Sequence, residues 1–231
     1  MPCLFIDGVA CCLKTSLLKK LNSNNFKCGF LDFTECIELY PKFADKAKST
    51  VLTFIYTHLQ IAQVKDVDMD FSDRSPITDL WYFIIFELYN KIKEDEKTNQ
   101  RDTIENYRKF IRSKLVDFIA LPDDRDNNKM TKLQSLLYTH FFTQFPTLYL
   151  IPKIKHIPDI VQQMKIRNNG IDLICEDYVL AQILVFSEII ETYQIPNSYI
   201  YNFDTDTIYS DSELNKLYAF TNRIKQRVDG Y

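Results

Sequence analysis

Five short β-rich runs, set between stretches with helical spacing, constrain the fold of this chain before any motif is considered. They lie at residues 3–7 (CLFID), 28–33 (CGFLDF), 67–71 (VDMDF), 147–151 (TLYLI) and 198–203. Helical spacing predicts helices over residues 14–21, 43–64, 77–92 behind Pro76, 103–119, 133–143, 157–167, 173–193 and 211–227. In 43–64 the apolar residues are Val51, Phe54, Ile55, Leu59 and Ala62. Strands alternating with helices predict an α/β fold, a parallel sheet covered by helices on both faces. The 231 residues are read as a single domain. Its most charged part, residues 93–132, bears EDEK and PDDRDNNK at its ends and reads as a helical insertion. No internal repeat and no low-complexity tract interrupts the pattern.

A net charge of −3 argues against general nucleic-acid binding, which calls for a basic surface. Six cysteines stand at 3, 11, 12, 28, 36 and 175, none in a C-x-x-C pair, with only His58, His140 and His156 as companions. That pattern disfavours a zinc site and a disulfide framework and predicts reduced thiols, hence a cytoplasmic or nuclear protein. The start MPCLFID lacks the basic region of a secretory signal. The longest apolar stretches, 80–86 and 183–186, fall far short of a membrane span.

The stretch LFIDGVACCLKTSLLKKL, residues 4–21, holds most of a phosphate-binding loop. A short apolar strand leads to Gly8, and Lys14-Thr15 opens a helix. In such a loop the backbone amides wrap a phosphate, the lysine neutralises its oxygens and the hydroxyl holds Mg²⁺. The helix N-terminus adds partial positive charge. The second glycine of G-x-x-x-x-G-K-[ST], however, is Leu13. A Cβ there obstructs both the backbone angles and the approach of phosphate. The same residues also make a plain strand–turn–helix with a solvated lysine.

Two further stretches follow predicted strands. FTECIELY, residues 33–40, offers Glu35 where a carboxylate would face the crevice beyond a parallel strand, as a general base or as a surface acid. SDRSP, residues 72–76, offers Asp73 for metal or hydroxyl contact and Arg74 for phosphate charge, or else an ion pair capping the next helix.

Taken together, LFIDG…KTS, TECIELY and DRSPITDLWYF resemble, in order and approximate spacing, the deoxynucleoside kinases, in particular the viral thymidine kinases of herpes type and, more distantly, thymidylate kinases. The segments 147–172 and 177–195 are similar to that family's strand, basic lid and following helix. The resemblance touches about two-thirds of the chain and leaves out 93–132. It implies a P-loop kinase-like fold with a five-stranded parallel sheet and ATP-dependent phosphoryl transfer to a nucleoside 5′-hydroxyl. By position, Glu35 matches the base, and Asp73 and Arg74 the pair beside Mg²⁺ and the phosphates. Gly8, Lys14 and Thr15 match the loop, with Thr15 and Asp73 at Mg²⁺, and Lys165 and Arg167 match the lid. Helix 43–64 would line the base pocket, without a clearly placed base-reading glutamine: Val51 falls near that position, and Gln60 and Gln63 come later.

The resemblance thus implies ATP, Mg²⁺ and a nucleoside or nucleoside monophosphate as ligands. It leaves open a homodimer and a protein partner at 93–132. Two loop glycines of the family are replaced, by Cys11 and Leu13, and the arginine-rich lid is reduced to Lys165 and Arg167 beside Asn168 and Asn169. Phosphoryl transfer depends on positioning and charge, so these losses fall on the phosphate side and predict slow or lost turnover. The alternative is an inactive descendant of the fold, kept for structure or partner binding. A third reading, another P-loop NTPase, lacks an apolar strand ending in Asp-Glu.

His58 and His140 read as core or rim residues, and the charge run 93–97 as a solvated helix end. Trp81, Tyr82, Phe83, Phe86 and Tyr89 either stack a base or fill the core. Cys11 and Cys12, at a helix N-terminus, are candidates for lowered pKa.

Overall fold

The computed structural model describes residues 2–30, 68–76, 78–116, 145–168, 172–193, 197–203 and 205–230. Helices 43–64 and 133–143, residues 31–33 of the second run, Glu35, Cys36, His58 and His140 lie outside the described residues, as do Asn169 and Gly170.

Strand β1 (Leu4–Gly8) is buried along its whole length, as a strand covered on both faces of a parallel sheet must be. It leads through a loop into helix α1 (Lys14–Ser23), whose Leu17, Leu18 and Leu21 face the core. Then come β2 (Cys28–Gly29), β3 (Phe71–Asp73), α2 (Thr78–Lys97), α3 (Ile104–Val116) and β4 (Thr147–Ile151). A 3₁₀ turn, Ile154–His156, precedes α4 (Ile157–Arg167). Helix α5 (Glu176–Tyr193), β5 (Ser198–Asn202) and α6 (Asp211–Val228) complete the order.

The five strands form one all-parallel sheet in the order β2-β3-β1-β4-β5, flanked by six α-helices among the described residues. The α/β fold expected from the alternation is the fold found. Register sets Ile6 against Asp73 on one side and Leu148 on the other, so β1 is the central strand. The connections after β1 and β4 leave in opposite directions, which opens a crevice beyond the C-terminal ends of these strands.

The third strand differs from its sequence reading. Expected at 67–71 and ending before SDRSP, it runs from Phe71 through Asp73. Asp70 is already tied to Lys27, its amide donating to the Lys27 carbonyl at 2.9 Å. Ser72, small enough to sit between neighbouring strands, is fully buried opposite Phe5. Polar side chains hid the continuation, and the result is that Asp73 ends the strand and faces the crevice side.

Helix α4 buries Ile157, Ile160, Val161 and Met164 at the spacing of one helical face and carries proline in its first turn. It stops at Asn168, a left-handed residue whose amide donates to the Met164 carbonyl. Helix α5, apolar nearly all round, packs against α2, α3, α4, β1 and β4. The described part of the charged stretch packs into this core through Tyr107, Ile111 and Leu115 of α3. Its charges are used structurally. The buried Glu188 carboxylate accepts from Arg112 Nε at 2.5 Å and lies 3.7 Å from Arg108, while Asp177 pairs with Lys93 at 2.7 Å and Arg101 at 2.8 Å. No helix among the described residues is long and apolar enough to cross a membrane. Cys3, Cys11, Cys12, Cys28 and Cys175 are free thiols.

Candidate functional site

Beyond the C-terminal ends of the strands lies a cleft of about 440 Å³, lined by loop residues 10–16, Asp73 and Arg74, Gln163, Ile166 and Arg167, and Tyr209. Each lining segment ends or follows a strand: the loop follows β1, the Asp-Arg pair closes β3, the end of α4 follows β4, and Tyr209 follows β5. The sheet thus brings together Lys14, Thr15, Asp73, Arg74 and Arg167, which are far apart in sequence.

The loop is built around its lysine. Lys14 is largely buried, and its ammonium donates to the carbonyls of Gly8 at 2.9 Å and Val9 at 2.7 Å. Two of its three N–H donors are so engaged, which leaves one for an anion in the cleft. Leu13, the N-cap of α1, has no side-chain cap to offer. Among the described residues, no acceptor takes the amides of Lys14, Thr15 and Ser16. These orphan donors carry the positive end of the helix dipole toward the cleft. Cys11 and Leu13 both adopt left-handed backbone, with φ of 57° and 60°. The chain therefore keeps a glycine-type path without glycine. Leu13 is half-buried, packed against the core and lining the cleft at once.

Gly8 does not line the cleft. Its φ is +116°, and a Cβ there would stand 2.3 Å from the carbonyl oxygen of Leu150. The absent side chain serves the packing of β1 on β4. Lys165 is exposed on α4 and outside the cleft lining. Glu35 lies outside the described residues.

Arg74 is itself left-handed, with φ of 62°, and its amide donates to the Ile6 carbonyl at 2.9 Å, which turns the chain sharply after β3. Its guanidinium sits 5.1 Å from the centre of the Tyr82 ring, in cation–π range. Arg167, at the end of α4, lies 3.9 Å from Asp172. Of the aromatic cluster, Trp81 is core, its indole N–H reaching the Tyr149 hydroxyl at 3.4 Å, and Phe83 is exposed. Tyr82 underlies Arg74, and Phe86 stacks on Tyr178 at 5.7 Å. Burial dominates the thiols of the loop: Cys12 is pushed up to about 12, and Cys11 is also raised. The lowered pKa expected at a helix N-terminus is absent from both, because desolvation outweighs Lys14 and Arg167.

Three side chains not singled out in the sequence reading hold this loop. Asp7, fully buried, accepts from the Gly8 amide at 2.7 Å and from the Thr78 hydroxyl, joining the loop to α2. Gln182, also fully buried, accepts from the Ala10 amide at 2.9 Å. The Tyr209 hydroxyl donates to the Cys11 carbonyl at 3.0 Å. A charge inside LFIDG and an amide inside YVLAQILVF were visible as anomalies in apolar runs, whereas Tyr209 carried no signal.

Burial raises the Asp7 carboxyl above 3.8, against the opposing hydrogen bonds and the charges of Lys14 and Arg74. The folded protein therefore keeps this proton to higher pH than the unfolded chain does. The contribution of Asp7 to stability is full below 3.8 and falls as pH rises through its folded value. Asp7→Asn removes the titration. Its unfolding free energy relative to the parent is expected to rise across that window and then level off, as followed by urea denaturation. A difference that stays flat from pH 3 upward, on the order of the unfolded carboxyl range, would contradict the assignment.

Comparison of the chain with family models, with curated proteins and with solved structures found no match.

Proposed function

We propose that the cleft binds the phosphates of a nucleoside triphosphate, and that the chain is a deoxynucleoside kinase-like protein transferring the γ-phosphoryl group of ATP to a nucleoside 5′-hydroxyl. One observation carries this reading: the uncapped N-terminus of α1, Lys14, Arg74 and Arg167 converge on one cleft together with a hydroxyl and a carboxylate. Amides and three cations suit a polyanion. Thr15 and Asp73 are the residues that would hold Mg²⁺, which would supply neutralisation of the phosphate charge. Glu35 is the base this reading assigns to the substrate hydroxyl, taking its proton as the bond to phosphorus forms and ADP departs.

A second reading is favoured by the loop itself. Lys14 is committed to two carbonyls, and Cβ atoms stand at both left-handed positions. Such a loop suits a protein that holds a nucleotide weakly or not at all, retained for structure or for a partner. Calorimetric titration with Mg²⁺-ATP, with and without thymidine, separates the two, followed by phosphoryl-transfer assays across deoxynucleosides. Saturable binding between about 1 μM and 1 mM, with turnover, is the expected result. Binding without turnover selects the second reading, and no binding by either ligand overturns the kinase proposal.

A further inference from the structure

The loop between β1 and α1 holds two residues with a Cβ in left-handed backbone, Cys11 and Leu13. For a cysteine or a leucine this conformation is disfavoured by roughly five- to thirtyfold. A nucleotide-binding loop left to its own preferences would therefore spend most of its time elsewhere. Local bonds do not remedy this. The Cys12 amide reaches the Val9 carbonyl only at 3.4 Å, and the Lys14 bonds to Gly8 and Val9 fix the loop's beginning rather than residue 11.

The contacts that bracket Cys11 come from the far end of the chain. Gln182 takes the Ala10 amide just before it, and Tyr209 holds the Cys11 carbonyl just after its strained φ. Gln182 stands on α5, which packs on β1 and β4 and is rigidly placed by them. Tyr209 belongs to the segment that leads from β5 to α6. A stretch of backbone pinned by an amide before the strained residue and by a carbonyl after it has little freedom to leave its conformation.

We propose that Tyr209 and Gln182 are positioning residues that hold the phosphate loop in its left-handed path at Cys11, replacing from outside what glycine at position 11 would provide from within. The inference rests on the nucleotide reading given above. Tether and glycine are then alternative solutions to one conformational problem, so their effects must be non-additive.

The test is a double-mutant cycle of Tyr209→Phe and Cys11→Gly, read by the affinity for Mg²⁺-ATP. With Cys11 in place, Tyr209→Phe is expected to weaken binding about tenfold, because the loop leaves its competent state. In the Cys11→Gly background the loss is expected to be no more than about twofold. Gln182→Met, which removes the acceptor and keeps the volume, is expected to show the same dependence on residue 11. Equal weakening in both backgrounds would mean that the hydroxyl acts on the ligand or elsewhere, and overturns the proposal, as does no weakening at all. If no form binds Mg²⁺-ATP, the nucleotide reading falls and the tether is decided on the free protein. There, the backbone chemical shifts of Leu13 and Lys14 are expected to move away from parental values in Tyr209→Phe and to stay near them when Cys11→Gly is added. Equal displacement in both, or none in either, overturns it.

Discussion

Replacing Gly8 with alanine is expected to remove a large part of the protein's stability. Two effects coincide there. The φ of +116° is a region that side chains with a Cβ avoid, and the new methyl would meet the backbone of Leu150 at 2.3 Å from its oxygen and 2.7 Å from its nitrogen. Neither neighbour can yield, since both belong to the main chain of β4, where Gly8 is paired with Leu150 in register. Strain and overpacking together should amount to about 4 kcal/mol, against a total stability of about 5–15 kcal/mol for a typical domain. Gly230 supplies the control: its φ is +86°, yet a Cβ there meets nothing within 4 Å. Gly230→Ala should therefore lose only about 1 kcal/mol, the backbone part alone. Equal urea midpoints for the two variants would show that the contact with Leu150 is not what fixes Gly8.

Lys14→Met should have two separate consequences. The first is on the fold. Methionine keeps much of the apolar stem but leaves the carbonyls of Gly8 and Val9 without the ammonium they now accept from, a loss of about 2 kcal/mol. The second is on the ligand. If the remaining ammonium donor serves a phosphate, its removal should weaken Mg²⁺-ATP by about a hundredfold, since a charge-assisted bond is worth about 1.5–3 kcal/mol and the carbonyl bonds also fix the loop. Thermal unfolding and titration of one preparation read both. Affinity retained within about threefold, alongside lowered stability, would make Lys14 a structural residue only.

β1, β4 and β5 were legible in the sequence to within one residue. TLYLI became β4 without a change of boundary, because both faces of a central parallel strand are dry. VDMDF misled by four residues at its start and two at its end, because burial of Ser72 and the half-burial of Asp73 depend on neighbours that the local sequence does not display. Helix α4 was read to the residue, 157–167, whereas α5 begins three residues later than expected, at Glu176. Within the candidate site, the spacing from Gly8 to Lys14-Thr15 was readable because one strand, one turn and one helix make it. The grip of Gln182 and Tyr209 was not. Their partners lie 172 and 198 residues away and become neighbours only once β4 and β5 have joined β1. A left-handed Leu13 is likewise a tertiary result, since local preference opposes it.

The central place of β1 bears on how the chain is made. Its partners are β3 and β4, and the ribosome produces β4 about 140 residues after β1. At about 5–20 residues per second that interval lasts roughly 7–30 seconds. Throughout it, the apolar strand Leu4–Gly8 has at least one edge and much of its surface unmatched. Nascent chains halted before residue 147 should consequently be sticky and protease-sensitive, and co-translational chaperones would find a binding segment in the very strand that ends at the cleft loop.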